Sequence, residues 1–248
     1  MSQPLGTFSD DFYVNLNLNT EMALPSNRET VLHFFEQMQR HFPTMKNFYH
    51  RDGNEYVLEE KKDGGRYRWV SLEGRRLCAG YVSPPDLAEA MQLHLTIAEL
   101  LPYALSVSPL DCDTLNLMFG FDFSYRGNHN KLVAEALGMI PAFEQMNDSS
   151  DKIPICYEPS IQFALDPSCK TQCRLSIETR TTAYQIRSGE FSEEQISVYL
   201  TLRRYGSLNV GETYAEVLKQ LAIQCEEITS DYVIQHVLLP LQQTIALK

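Results

Sequence analysis

Two segments of this chain alternate polar and apolar residues one for one. In residues 11–19, Phe12, Val14, Leu16 and Leu18 fall on one parity, and Tyr13, Asn15, Asn17 and Asn19 on the other. Successive strand side chains point to opposite faces, so this period predicts a strand with one buried and one polar face. Residues 114–125 repeat the pattern, with Leu115, Leu117, Phe119, Phe121, Phe123 and Tyr125 opposed by Asn116, Met118, Asp122 and Ser124. Each strand runs toward a helix start. Ser26 with Glu29 reads as a capping box, and Val31, Phe34, Phe35, Met38 and Phe42 then recur at helical spacing until Pro43. The second strand leads to an amide cap near Asn130 and a short helix over 131–137, stopped by Gly138.

Turn-forming residues at 52–54, 63–65 and 74 divide the segment after the first helix into strands over 48–51, 55–61, 66–72 and 76–82. A helix then starts at Asp86 and places Leu87, Met91, Leu95, Ala98 and Leu101 on one face. In the second half, residues 147–151 read as loop, and strands are expected over 155–165, 174–187 and 195–205. A final helical region opens near Val210, and Pro240 should kink or break it.

Both halves, 1–110 and 111–248, thus read as strand, helix, run of strands and closing helix, joined in one compact domain. The fold class expected is α+β: pseudo-duplicated β-α-β-β-β-β-α units sharing one curved antiparallel sheet, with the helices on one side. No residue identity links the halves, so the repeat is one of pattern. The architecture resembles the duplicated saddle of the TATA-box-binding protein, with the helix-grip fold of lipid-carrier domains as the alternative. The resemblance is architectural, rests on no shared motif and implies no ligand.

The polar sheet face is the candidate working surface. It collects Tyr13, Asn15, Asn17, Asn116, Asp122, Arg174, Glu178, Arg180, Tyr199 and Arg203, with Asn19 and Tyr205 at its margin. Solvated strands also alternate, but tyrosine and arginine are the residues that interfaces favour, because they join contact area to hydrogen bonding. The formal charge of -11, from 32 acids against 21 bases, repels phosphate backbones and lowers the expectation of nucleic-acid binding. A stacking platform for bases at Arg66, Tyr67, Arg68 and Trp69 is weakened by Glu59, Glu60, Asp63 and Glu73 beside it.

Other constellations are weaker. Cys156, Cys169 and Cys173 supply three soft ligands without a fourth, so no metal is expected. Asp111 and Asp113 could hold a divalent cation but suit turn and cap roles equally. His129 among amides suggests an anion site or, more simply, an exposed histidine beside a cap. No phosphate loop, nucleophile elbow or zinc-protease motif occurs. The scattered cysteines, a start without basic and apolar signal regions, and the lack of a long apolar run suggest a reduced, cytoplasmic chain away from membranes. The expected function is non-enzymatic recognition of a protein partner, or of a second copy, through the polar face, with no cofactor. The alternative is a helix-grip carrier or enzyme with a cavity between the sheet and the C-terminal helix.

Overall fold

A computed structural model describes residues 4–51, 53, 55–147 and 153–248. The expected turn residues Asp52 and Asn54 and the loop positions 148–151 lie outside the described residues. The regular elements are β1 (Asp11–Thr20), α1 (Arg28–His41), β2 (Asn47–Arg51), β3 (Glu55–Glu59), β4 (Tyr67–Glu73), β5 (Arg76–Val82) and α2 (Leu87–Ala104). They continue with β6 (Cys112–Arg126), α3 (His129–Leu137), α4 (Pro141–Asn147), β7 (Ser160–Ala164), β8 (Thr171–Glu178), α5 (Ala183–Ser188) and β9 (Glu193–Tyr205). The chain closes with α6 (Tyr214–Ile228), a wider π-helical stretch (Thr229–Leu238) and α7 (Leu239–Ala246).

The nine strands form a single curved antiparallel sheet in the order β2-β3-β4-β5-β1-β6-β9-β8-β7. The two strands of cleanest alternation, β1 and β6, are neighbours at its centre, with Tyr13 opposite Gly120 and Asn17 opposite Asn116. Their apolar parity, Phe12, Val14, Leu16, Leu18, Leu115, Leu117, Phe119 and Phe121, joins Leu77, Val198, Leu200 and Leu202 in one buried cluster. Phe34, Met38, Leu93, Ile97, Leu218 and Leu221 from α1, α2 and α6 fill the same cluster, so these helices cover that face. Removal of this apolar surface from water, at about 25 cal/mol per Å², is the main force holding helices to sheet. Register matters here, because a slip of one residue would exchange the two faces of a strand.

His94 on α2 is fully buried, and its Nε2 meets the Val14 carbonyl of β1 at 3.1 Å. A carbonyl only accepts, so this contact places the ring proton on Nε2. Burial pushes its pKa down to about 4, so at neutral pH the ring is uncharged.

Several sequence expectations are corrected. Asn27, not Ser26, caps α1, its Oδ1 accepting from the Thr30 N–H at 2.9 Å. Asn128 rather than Asn130 caps α3. The strand expected over 174–187 ends at Glu178, because Thr182 and Gln185 form a capping box that opens α5, and Gly189 at φ 73° closes it. The strand over 155–165 shrinks to Ser160–Ala164. α6 starts at Tyr214, where Thr213 and Glu216 form a capping box, not near Val210. The buried stripe of α2 runs through Ala90, Leu93, Ile97, Leu101 and Ala104, leaving Leu87 and Leu95 only partly buried. Pro240 does not break the last helix. The chain is helical on both sides of it, and the Leu239 N–H just before it bonds back to the Ile234 carbonyl in the wider π spacing that precedes α7.

Candidate functional site

The parity of β1 carries the open face across the sheet. Asn15 stands opposite Gly80 on β5 and Met118 on β6, and Trp69 on β4 stands opposite Gly80 in turn. On the other flank, Gly120 faces Tyr199, Asn116 faces Arg203, and Arg174 on β8 faces Thr201. Two grooves flank the ridge made by Tyr13 and Asn15. One, of about 360 Å³, is lined by Tyr13, Asn15, Met118, Gln162, Gln172, Arg174, Ser176, Glu178, Tyr199, Thr201 and Arg203. The other, of about 550 Å³, adds Asp11, Gly65, Tyr67, Trp69, Val82, Asp122 and Gln195 to the same two ridge residues.

Two glycines shape the ridge. A Cβ on Gly120 would lie 2.2 Å from Tyr13 Cε2, so the ring occupies the space a side chain would take. A Cβ on Gly80 would lie 2.3 Å from Asn15 Oδ1 and 2.4 Å from Trp69 Nε1, so both side chains fold over that glycine. Tyr13 then donates its hydroxyl proton to Asp122 Oδ1 at 3.2 Å and meets the Tyr199 ring edge-on, with centroids 6.5 Å apart. Burial, then the nearby Asp122 carboxylate, raise the Tyr13 phenol above its ordinary range. Burial also raises the Asp122 carboxyl, partly opposed by hydrogen bonds from Ser197 and Tyr13. Among the described residues the buried Asn15 Oδ1 has no hydrogen-bond partner.

The sequence-predicted residues divide into two layers. Tyr13, Asn15, Arg174, Glu178, Tyr199 and Arg203 come together along the first groove. Asn116 and Asp122 are buried beneath this layer: Asn116 Oδ1 accepts from Arg203 Nε at 2.8 Å, and Asp122, at the floor of the second groove, accepts from the Tyr13 hydroxyl. Asn17 lies in register with Asn116 and lines neither groove. Arg180 leaves β8, which ends two residues earlier, yet its Nη2 reaches Ser197 Oγ at 3.2 Å and its Nη1 pairs with Glu178 at 3.5 Å. At the margin, Asn19 Nδ2 donates to Thr114 Oγ1 at 2.7 Å, and the Tyr205 hydroxyl accepts from Arg203 Nη1 at 3.0 Å.

Sequence reasoning missed Gln162, Gln172, Ser176 and Thr201 in the groove. The last three share the parity of Arg174 and of Tyr199 with Arg203, a signal present in the sequence. Tyr67 and Trp69 do share the open face, whereas Arg68 turns to the helical side, stacks over Tyr81 at 4.3 Å and pairs with Glu60 at 2.9 Å.

The remaining candidates fall elsewhere. His129 is buried, not exposed, because both ring nitrogens are engaged: Nε2 meets the Tyr125 carbonyl at 3.1 Å and Nδ1 accepts from the Arg180 N–H at 3.2 Å. Asp111 accepts from the Met22 N–H at 2.8 Å as a loop staple. Among the described residues no three His, Cys, Asp or Glu side chains gather in a metal-holding group, and all six cysteines are free. Burial pushes the Cys78 and Cys173 thiols up to about 11, which keeps them protonated. Among the described residues no helix is long and apolar enough to cross a membrane. No family model and no curated protein matches the chain.

The arrangement supplies ring faces, neutral amides and guanidinium donors over a fixed polar floor. Among the described residues no histidine or cysteine lines either groove. It is equipped to hold a polar, partly aromatic surface.

Proposed function

We propose that this chain is a cytoplasmic, non-enzymatic recognition scaffold that binds a protein partner, or a second copy of itself, through the open face of its sheet. The observation carrying this reading is the ridge of Tyr13, Asn15 and Trp69 folded over Gly80 and Gly120, which fixes large side chains in place before any partner arrives. Preorganised side chains lose less freedom on binding, and buried tyrosine and arginine anchors dominate interface energetics. The reading includes a duplicated saddle. Its support is the pairing of β1 and β6 at the centre, each flanked outward by the last strand of its own half.

Photocrosslinking tests the reading. A photoreactive residue at position 13 or 199 should give adducts in the native setting, either to a partner or to a second copy, well above those from exposed position 223 on α6. Equal yields from all three positions would refute it. A second reading, carriage of a small molecule, draws on a separate groove of about 690 Å³ that includes Leu5, Phe8, Phe12, Pro84, Leu87 and Ile234. A stoichiometric ligand copurifying with the native chain, displaced by Phe12→Trp, would favour it.

A further inference from the structure

We infer that the groove over β8 and β9 takes a carboxylate, presented by an acidic side chain in a peptide segment of the partner; this rests on the reading that the open face recognises protein. Arg174 stands opposite Thr201, and Arg203 lies two residues further along β9, so the two arginines are diagonal neighbours on one face. Diagonal positions are about 7–8 Å apart, within reach of one small anion by two long side chains. Both arginines line the groove, and among the described residues neither pairs with a carboxylate. The groove's own acid, Glu178, is engaged with Arg180.

Neutral oxygens aim the two guanidinium groups instead. Arg203 donates from Nε to Asn116 at 2.8 Å and from Nη1 to the Tyr205 hydroxyl at 3.0 Å. Arg174 donates from Nε to Ser160 Oγ at 3.1 Å. These contacts orient the groups and leave their charge uncompensated. A guanidinium carries five N–H donors, so terminal donors remain on each. In a chain with 32 acids against 21 bases, two adjacent arginines that pair with no acid among the described residues mark a place for an anion from outside.

Charge favours a carboxylate over a phosphate. The chain's net charge of -11 repels a dianion more strongly than a monoanion, and Glu178 adds to that locally. On the outer wall Gln162 donates from Nε2 to Gln172 Oε1, and Gln172 donates from Nε2 to the Cys169 carbonyl at 2.8 Å, which leaves Gln162 Oε1 to accept from a peptide N–H.

The test is an NMR titration of the full chain, following the Nε–Hε signals of Arg174 and Arg203. The probes are capped Ala-Glu-Ala, capped Ala-Gln-Ala and inorganic phosphate. The glutamate peptide should shift both signals, and the glutamine peptide neither. Arg174→Gln or Arg203→Gln should each weaken the glutamate peptide by about tenfold or more, the loss expected for a hydrogen bond to a charged group. Arg174→Lys, which keeps the charge and loses the fork, should weaken it less. The inference is overturned if the glutamate peptide shifts neither signal up to its solubility limit, or if the glutamine peptide shifts them equally. Tighter binding of phosphate than of the glutamate peptide also overturns it, and assigns the groove to phosphoryl ligands. Failure here with strong crosslinks from positions 13 and 199 removes the carboxylate and leaves the partner reading. Success here with background crosslinks does the reverse.

Discussion

Replacing Gly120 with alanine should destabilise the protein by a route that runs through one side chain, the Tyr13 ring. The added Cβ would stand 2.2, 2.4 and 2.8 Å from three carbons of that ring. Contacts this short cannot persist, so the ring must move. It is not free to move, since its hydroxyl bonds to buried Asp122 and its edge packs against Tyr199. Forcing extra volume into such a site costs about 1–3 kcal/mol. For a chain of this size that lowers the Tm by roughly 2–12 °C, at about 2–4 °C per kcal/mol. The control is the same substitution in a Tyr13→Ala background, where the obstacle is absent. There Gly120→Ala should be neutral, or stabilising by about 0.4–1 kcal/mol through reduced freedom of the unfolded chain. The coupling between the two sites, read from urea melts of the four proteins, should be about 1–4 kcal/mol, the cost with the ring present plus any gain in its absence. A Tyr13→Phe background keeps the ring and its contact with Tyr199 but frees it from Asp122, and should keep most of the penalty. Additive effects of Gly120→Ala and Tyr13→Ala would refute the reasoning, because the cost would then not arise from the ring.

Three further expectations rest on the two faces and the buried histidines. Leu200→Ala, fully buried on the helical face, should lose roughly 2–5 kcal/mol in a urea melt, whereas Tyr199→Ala and Arg203→Ala on the open face should lose far less; similar losses would place the faces wrongly. Because the folded pKa of His94 is depressed to about 4 from its ordinary 6.5, its contribution to stability should be fully present above about pH 6.5 and be lost as pH falls toward 4. That loss is on the order of 3 kcal/mol, should be absent in His94→Gln, and is refuted by identical pH profiles for the two proteins. Burial lowers the His129 pKa in the same direction, and a proton on Nδ1 would evict the Arg180 N–H, so the exchange protection factor of the Arg180 amide should fall as the pH drops below the ordinary histidine range and before global unfolding; an unchanged protection factor would refute it.

The alternation of β1, β6 and β9 was legible in the sequence because one face of each carries apolar side chains and the other mostly polar ones, and that contrast is what period two records. The site was legible only to the depth of that parity. Tyr13 and Tyr199 could be placed on one face, but not over Gly120, since their meeting depends on how β1, β6 and β9 pair in register. Nor could Asn116 be told from Asn15: both are amides at polar positions, and only pairing puts one beneath Arg203. Residues 179–187 misled because Thr, Tyr and Ile favour strands, while the decisive signal was the short-range one of Thr182 with Gln185. Thr213 with Glu216 gave the same signal ahead of α6, and there too the cap outweighed the apolar run as a marker of the helix start.

The open face has a construction that solubility alone does not require. Asn116, Asp122, Ser176 and Ser197 are buried there, although the helices cover the opposite face. Their cover is provided by longer side chains laid across the strands, with Arg203 over Asn116 and Tyr13 reaching Asp122. Laying side chains flat needs gaps, and Gly80 and Gly120 provide them on the two strands that flank β1. A strand-interior glycine is roughly 0.5–1 kcal/mol less favourable than alanine, so the pair together stand at about 1–2 kcal/mol against the fold. A face that served only to meet water would gain by filling both gaps. Holding Tyr13, Asn15 and Trp69 at fixed positions is what the gaps achieve, and fixed positions matter where another surface has to match them. Under the proposed reading the two arginines belong with the ridge: Asn116, Tyr205 and Ser160 aim them without neutralising them, so their charge stays available to a partner.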